Sequence, residues 1–320
     1  MQGKGFEHEF TTSIIKSFQR FIFRQYNIYI MKKKKCLCLY PTVAIFILIT
    51  IPLSTLGAAS YQTNYELHAP IRIEGDSQFT VENGVRSGDG TIEHPYVISR
   101  WHISISFSDL KQGVHGIAIY NTSAFFSISD CLFSSLGGRI NNYIHRITEH
   151  ESSGVYLQNV TNGLVERCII RGLFSCINLE NASSNIIKNC TSFRNCCGIG
   201  LNRGSNNNTV EFCRTNNFGC SICLWDNVHN NTIIHNECFG APIRVFNSSY
   251  NLIQDCTFAP SIKRNLFNFF LSTIGIDSNH SNNNTISHCT FFLKLIGVRS
   301  IASNNTIDNC RFVLCLKQKG

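Results

Sequence analysis

A short phrase that returns about every twenty-two residues constrains this chain more than anything else in it. Between Gly154 and Phe258 the phrase Gly-Ile-x-Leu recurs as GVYL at Gly154, CINL at Cys176, GIGL at Gly198, SICL at Ser221 and PIRV at Pro242, in steps of 21 to 23 residues. It stands before that block as GIAI at Gly116 and after it as GIDS at Gly275 and GVRS at Gly297, across two longer steps that hold extra loop sequence. Eight copies are too many for coincidence. A unit this short cannot bury an apolar face alone, so the copies must stack and share one core.

Each copy divides into three short apolar pieces. In the first, Ile177 and Leu179, or Ile199 and Leu201, sit two apart, so both point to one face of a strand while Asn178 or Gly200 points away. The second follows an Asn-rich corner and reads N-T-I or close to it, as at Asn208-Thr209-Val210, Asn231-Thr232-Ile233, Asn284-Thr285-Ile286 and Asn305-Thr306-Ile307. Asn suits the corner because it tolerates unusual dihedrals and bonds its own backbone, and Thr and Ile favour the strand that leaves it. The third begins three residues after that Ile or Val, at Cys131, Cys168, Cys190, Cys213, Asn236, Cys256, Cys289 and Cys310. Phe133, Ile170, Cys238, Phe258, Phe291 or Phe312 follows two residues on, so both members of the C-x-F pair are expected to face inward.

Three strands per turn make a coil. The expectation is an all-β, right-handed, single-stranded parallel β-helix of about eight or nine coils, stacked about 4.8 Å apart. Leucine-rich repeats share the period and a Cys/Asn position, but need a leading L-x-x-L and room for a helix that this sequence lacks. Paired-helix repeats are excluded by the Asn- and Gly-rich corners, which would break any helix.

The formal charge of +8 does not describe the repeats. Residues 1–59 hold eight Lys and Arg against Glu7 and Glu9, which leaves 20 basic and 18 acidic residues from Ser60 onward. A near-neutral solenoid gives no reason to expect nucleic acid as partner. The sixteen cysteines would suggest a disulfide scaffold, but seven of them hold the ladder position. In-register side chains point in parallel, which suits disulfide torsions poorly. Small buried thiols standing where Asn236 keeps an Asn are therefore expected there. Cys196, Cys197, Cys220, Cys223 and Cys315 are less constrained, which leaves room for one or two bridges among them.

Read in order, residues 1–30 form an extension before the expected start at Met31. Residues 31–59 combine Lys32 to Lys35, an apolar run from Leu37 to Leu56 and a small-residue end at Gly57-Ala58-Ala59. That is the pattern of a signal peptide, with a transmembrane anchor as its rival, so an exported, secreted or cell-surface chain is expected whose one membrane contact is this segment. Residues 60–115 lack the phrase and are expected to cap the first coil and lead into it, with Ile71-x-Ile73, Phe79-x-Val81 and Val97-Ile98 as strands and with Tyr96 and Trp101 packing in the cap. Residues 116–320 carry the repeats. Inserts at 136–153 (Arg139, His145, Arg146, Glu149, His150) and 259–273 (Lys263, Arg264 and the Phe267 to Phe270 cluster) are where a solenoid places function. No C-terminal cap is legible after the Gly297 coil, which predicts a chain shorter than its relatives.

The run Gly88-Asp89-Gly90-Thr91, then His94-Pro95-Tyr96-Val97-Ile98 and Trp101-His102-Ile103, resembles the G-x-G-T-x-x-N/D-P-Y-x-I-x-x-W-x-I segment of archaeal-type cell-surface β-helix proteins. These are related to the β-helix region of the periplasmic maturation protein of nitrous-oxide reductase, NosD. With the later copies the resemblance spans roughly Ile71 to Phe312, and it departs at His94 and in the Cys-for-Asn ladder. It implies the fold and export, and little about activity.

Enzymes of this fold place paired carboxylates on an outer strand face. The outward column of the first strand reads Ala118, Tyr156, Asn178, Gly200, Cys223, Arg244, Asp277 and Arg299, with one carboxylate. Around the second strand, Glu166, Glu211 and Asp308 fall on separate coils. No catalytic pair is visible. Arg244, Asp277 and Arg299 fall on consecutive coils and form the candidate ligand site, either a solvated ion-pair ladder or a platform for an acidic sugar. Cys220-x-x-Cys223 reads as a chelating pair, yet residues three apart on a strand face opposite sides, so no metal and no cofactor is expected. Ten N-x-S/T sequons occur, among which Asn121, Asn159, Asn181, Asn247 and Asn279 are glycosylation candidates beside their corner role. The expected function is display of a polar Asn/Ser/Thr face that binds glycans or envelope components without catalysis. The alternatives are a polysaccharide lyase or hydrolase working near Asp277, and a NosD-like metal-delivery accessory.

Overall fold

The computed structural model describes residues 64–135, 152–261, 274–292, 294, 296–301, 304–313 and 317–319. The expected extension, leader or anchor, most of both inserts and Cys315 lie outside these residues. Within them the chain coils through three parallel sheets of ten, ten and nine strands, each strand pairing with the one three further along the sequence. One sheet is built from the Gly-Ile-x-Leu strands (the GIxL sheet), one from the N-T-I strands and one from the C-x-F strands.

The register follows the repeat. Ile177 pairs with Val155 and Ile199, Ile199 with Ile222, Ile222 with Ile243 and Ile243 with Ile276, and all of them are buried. In the C-x-F sheet the inward column runs Phe133, Ile170, Ser192, Thr215, Cys238, Phe258, Phe291 and Phe312. Its last three rings stack face to face at 4.8 and 5.1 Å. Stacked aromatics gain from close parallel contact in addition to the area they bury.

Two ladders occupy the corners. The second Asn of each Asn-Asn pair, with its equivalents Asn185 and Asn251, is buried, or half-buried at Asn305; its side chain reaches neighbouring coils, and Asn185, Asn231 and Asn251 also donate to their own backbone two residues back. The Asn185 N–H donates to the Asn208 side-chain oxygen at 2.9 Å, Asn208 to Asn231 at 2.8 Å, Asn231 to Asn251 at 3.0 Å, Asn251 to Asn284 at 2.9 Å and Asn284 to Asn305 at 2.9 Å. The first Asn of the pair, as at Asn207, Asn230, Asn283 and Asn304, makes the turn at φ of 55 to 59°. At the other corner Cys131, Cys168, Cys190, Cys213, Asn236, Cys256 and Cys289 are buried and Cys310 is half-buried. The Cys190, Cys213 and Cys256 thiols donate to the Val165, Ile187 and Ile233 carbonyls of the coil before, at 3.6 to 3.8 Å. Asn236 donates to Val210 O in the same way at 2.8 Å. A thiol thus reproduces the donor half of the amide. Burial pushes the Cys168 and Cys190 thiols far up, so they stay protonated.

The lead-in segment does more than cap. Glu66–His68, Ile71–Glu74, Tyr96–Ser99 and Trp101–Ile105 are the first strands of the three sheets, which is why the sheets reach ten strands where eight or nine coils were expected. Phe79-x-Val81 is not a strand: a 3-10 turn at Asp76–Gln78 precedes it, Phe79 closes the core end and Val81 lies exposed. Tyr96 stacks on Phe79 at 4.4 Å, and the Trp101 indole N–H donates to Gly84 O at 2.8 Å beneath the Arg86 guanidinium. Both rings pack against the core. Gly88, at φ of 97°, could not carry a side chain, since its Cβ would fall 2.0 Å from Pro95 O. One short helix, Phe107–Lys111, interrupts the β pattern, closed at its start by a capping box between Ser106 and Asp109.

Candidate functional site

The outer face of the GIxL sheet carries two columns of side chains. The nearer column, aligned strand by strand, is Arg72, Ala118, Tyr156, Asn178, Gly200, Cys223, Arg244, Asp277 and Arg299. Two residues further along each strand runs a second column, Glu74, Tyr120, Gln158, Glu180, Asn202, Trp225, Phe246, Asn279 and Ile301. In the sequence the first column is legible from the repeated phrase itself, and the second lies beyond it. The same two-residue period, carried one step further, would have found Glu180 and Trp225.

The three candidate residues do align. Arg299 grips Asp277 with two hydrogen bonds of 2.8 and 2.5 Å, and Arg244, on the other side of Asp277, is exposed and makes no ion pair among the described residues. An exposed pair of this kind is worth at most about 1 kcal/mol. It occupies the one carboxylate there, so this end of the face offers a free guanidinium and no free acid.

A denser cluster lies at the other end. The Tyr156 hydroxyl donates to a Glu180 oxygen at 2.6 Å, and Arg203 pairs with the other Glu180 oxygen. His115 stacks flat on Tyr156 at 4.3 Å. Tyr120 leans against Tyr156 at 5.7 Å, with Arg72 over its ring. The Ser153 amide donates to His115 Nδ1 at 3.1 Å, which places the proton of the neutral ring on Nε2. Burial, helped by Arg72, drops the His115 pKa to about 4. His115 is therefore a neutral donor at neutral pH and not a base. Burial and the bond to Glu180 push the Tyr156 hydroxyl up, which keeps its proton in place. Tyr156 donates its hydrogen bond and His115 accepts one at Nδ1; neither is primed to remove a proton.

Between the two ends the face turns from charged groups to amides. Gly200 has no side chain, and one added there would meet Asn178 Oδ1 at 2.8 Å and Asn202 Nδ2 at 3.0 Å. Those two amides bond each other at 2.5 Å. Beyond them, Trp225, 38% exposed, stacks on Phe246 at 5.0 Å, and His280 meets Phe246 edge-on at 5.8 Å. The result is a strip of two bonded amides over Gly200, with Tyr156, Glu180 and Arg203 on one side and Trp225 and Phe246 on the other.

The nearest carboxylate along this face is Asp226, which follows Trp225 two coils from Glu180 and acts through its charge on the same Arg203. Glu74 is three coils away and Asp277 four, or roughly 14 and 19 Å at 4.8 Å per coil. Both exceed the carboxyl separations that glycoside hydrolysis uses. Elsewhere, Glu166 and Glu211 flank Lys188 in one column of the N-T-I sheet, with Asp308 further along.

One expectation about cysteine fails. Cys220 and Cys223 do not face opposite sides of a flat strand; they are joined by a disulfide, with Cα atoms 6.4 Å apart. An extended strand would hold them about 10 Å apart. The strand is not flat there: Cys220, Ser221 and Ile222 are buried in succession, as Ser175, Cys176 and Ile177 are two coils before. Among the described residues no group of three His, Cys, Asp or Glu side chains could hold a metal ion. Of the sequon residues singled out, Asn121, Asn159, Asn181 and Asn247 are exposed at φ of 48 to 55° and Asn279 is half-buried. The Asn181 and Asn159 side-chain amides each donate to the Asn one coil before, at 2.8 Å.

Known proteins agree with this architecture. An alginate lyase from Paenibacillus sp. str. FPU-7 superposes with a TM-score of 0.53 at 12% identity, over 77% of this chain and 98% of that one. A tailspike protein of E. coli bacteriophage HK620, in complex with a hexasaccharide, gives 0.44 at 13% identity over 67% and 46%. The catalytic domain of a GH87 alpha-1,3-glucanase, in complex with nigerose, gives 0.42 at 12% over 78% and 53%. At such identities the likeness is one of fold, and the two lower scores add no argument. No curated protein matches the chain. The protein-family model for the right handed beta helix region matches residues 71–239, more than half of the sequence, and this chain belongs to that family.

Proposed function

We propose that this protein binds a polysaccharide across the Gly200 amide strip, with the chain crossing from Tyr156 to Trp225, and that it does so as an exported protein of the cell surface. The observation that carries the reading is the amide pair beside the aromatic pair. Two bonded amides over Gly200, next to the stacked Trp225 and Phe246, fit a sugar ring: hydroxyls meet amides and the apolar ring face meets Trp225. Export is supported by Lys32 to Lys35 ahead of the apolar run. The likeness to an alginate lyase supports a glycan as the class of ligand. This moves the site from the Arg244, Asp277 and Arg299 ladder, which becomes its far end.

A carbohydrate-active enzyme is the second reading, favoured by the short Tyr156 to Glu180 hydrogen bond. Its centre would be Glu180 and not Asp277.

The test is a titration of the full chain with neutral and uronate-containing polysaccharides, read by tryptophan fluorescence, with product assays for unsaturated uronates and new reducing ends. Saturable binding that Gly200→Gln removes is the expected result. Binding to no glycan, or binding indifferent to Gly200→Gln, ends the proposal. Cleavage lost in Glu180→Gln would make the second reading the correct one.

A further inference from the structure

Four cysteines gather where the GIxL strands of two neighbouring coils begin. Cys220 and Cys223 are bridged, and Cys196 and Cys197 are thiols with sulfurs 4.0 Å apart. Cys197 is the direct strand partner of Cys220. Coils about 4.8 Å apart put that Cα pair inside the span a disulfide bridges. The Cys197 sulfur also leans toward the next coil, 3.6 Å from where a Cβ would stand on Gly219, the residue before Cys220. The Gly219 amide donates to Cys196 O at 2.7 Å and fastens the two coils together, and Gly219 sets no side chain beside the Cys197 sulfur. This is not a parallel stack like the corner ladder, since Cys220 is turned along its own strand toward Cys223.

We propose that Cys197 and the Cys220–Cys223 bridge form an internal thiol–disulfide exchange site. The Cys197 thiol gives its proton to water, and the thiolate attacks the Cys220 sulfur. A Cys197–Cys220 bond forms as the Cys220–Cys223 bond breaks, and the electron pair leaves on the Cys223 sulfur, which takes a proton back from water. One disulfide and one thiol stand on each side of the exchange, so no outside oxidant or reductant is consumed. The bond that closed a loop within one strand then ties two coils together. The released thiol sits in the outward column between Gly200 and Arg244, next to the amide strip. Cys223 is half-exposed there, and it becomes the position at which an external thiol or electrophile modifies the chain.

The exchange stands or falls independently of any glycan. The full-length protein, with no reductant added, is incubated at pH 8 with iodoacetamide, acid-quenched, and mapped by proteolysis and mass spectrometry without reduction. Expected are both the Cys220–Cys223 and the Cys197–Cys220 linkages, with label on Cys223. In Cys197→Ser the second linkage disappears and Cys223 labelling falls at least tenfold, while Cys196→Ser keeps both. Wild-type protein decides the matter even where a variant fails to fold: a Cys220–Cys223 linkage alone, with Cys223 unlabelled, overturns the proposal. So does a Cys196–Cys220 linkage, or equal Cys223 labelling in a folded Cys197→Ser variant.

Discussion

The inner Asn corner and the outer face of the GIxL sheet are built by the same coils, yet they obey different rules. At the corner one residue type repeats through Asn185, Asn208, Asn231, Asn251, Asn284 and Asn305, because each amide must receive the N–H of one coil and offer its own to another. On the outer face the aligned residues are Arg, Ala, Tyr, Asn, Gly, Cys, Arg, Asp and Arg, with no type prevailing. Stacking dictates what lies inside and leaves the outside unspecified. In a molecule this repetitive, a departure from uniformity on a shared face is where a ligand has room to act.

The comparison breaks first at the corner. Asn208→Ala strands the buried Asn185 N–H and Ala182 O and leaves Asn231 without one partner. A loss of about 4 kcal/mol is expected in urea unfolding, from two or three buried groups at about 1 to 3 kcal/mol each. A loss under about 1 kcal/mol would mean that the ladder does not hold the coils together.

Next comes pH. His115 titrates near 6.5 when unfolded and near 4 when folded, so between these values the unfolded chain binds the extra proton. Stability is therefore complete above about pH 6.5 and falls as pH drops toward 4, by roughly 2 kcal/mol once partial exposure is allowed for. Thermal melts across that window should show the slope, and His115→Asn should flatten it. An unchanged slope would place the sensitivity elsewhere.

The smallest effects sharpen the contrast. Cys213→Asn repeats what Asn236 already does, and is expected to change stability by less than about 1 kcal/mol. Asp277→Asn, on the outer face, removes one exposed ion pair and should cost no more than that. Either substitution costing 3 kcal/mol or more would erase the distinction between conforming and free positions.

Much of this was legible in the residues because the inward positions repeat. Ile177, Ile199, Ile222 and Ile243 declare a shared face, and the C-x-F pairs declare another. The lead-in strands were not legible as rungs: Ile71–Glu74 pairs in register with Ile117 to Tyr120 but carries no Gly-Ile-x-Leu phrase, so periodicity passed over it. The Asn corner reads in the sequence as local turn chemistry, and its contacts between residues about twenty-three apart leave no local trace. The Cys220–Cys223 bridge was hidden because the bend that brings the two together lies within ordinary strand sequence. Of the site, Gly200 and Tyr156 were on the page as outward residues, while Glu180 and Trp225 lay one period beyond the column being read.

The most direct test pairs two readings on one variant, Trp225→Ala, against whichever polysaccharide the wild-type chain binds. Because Trp225 belongs to the unspecified outer face, the melting temperature should stay within about 2 °C while Kd rises at least tenfold, a loss of about 1.4 kcal/mol in binding. An unchanged Kd would contradict the account, as would a weaker affinity accompanied by a fall of 5 °C or more, which would make Trp225 part of the scaffold and not of a site.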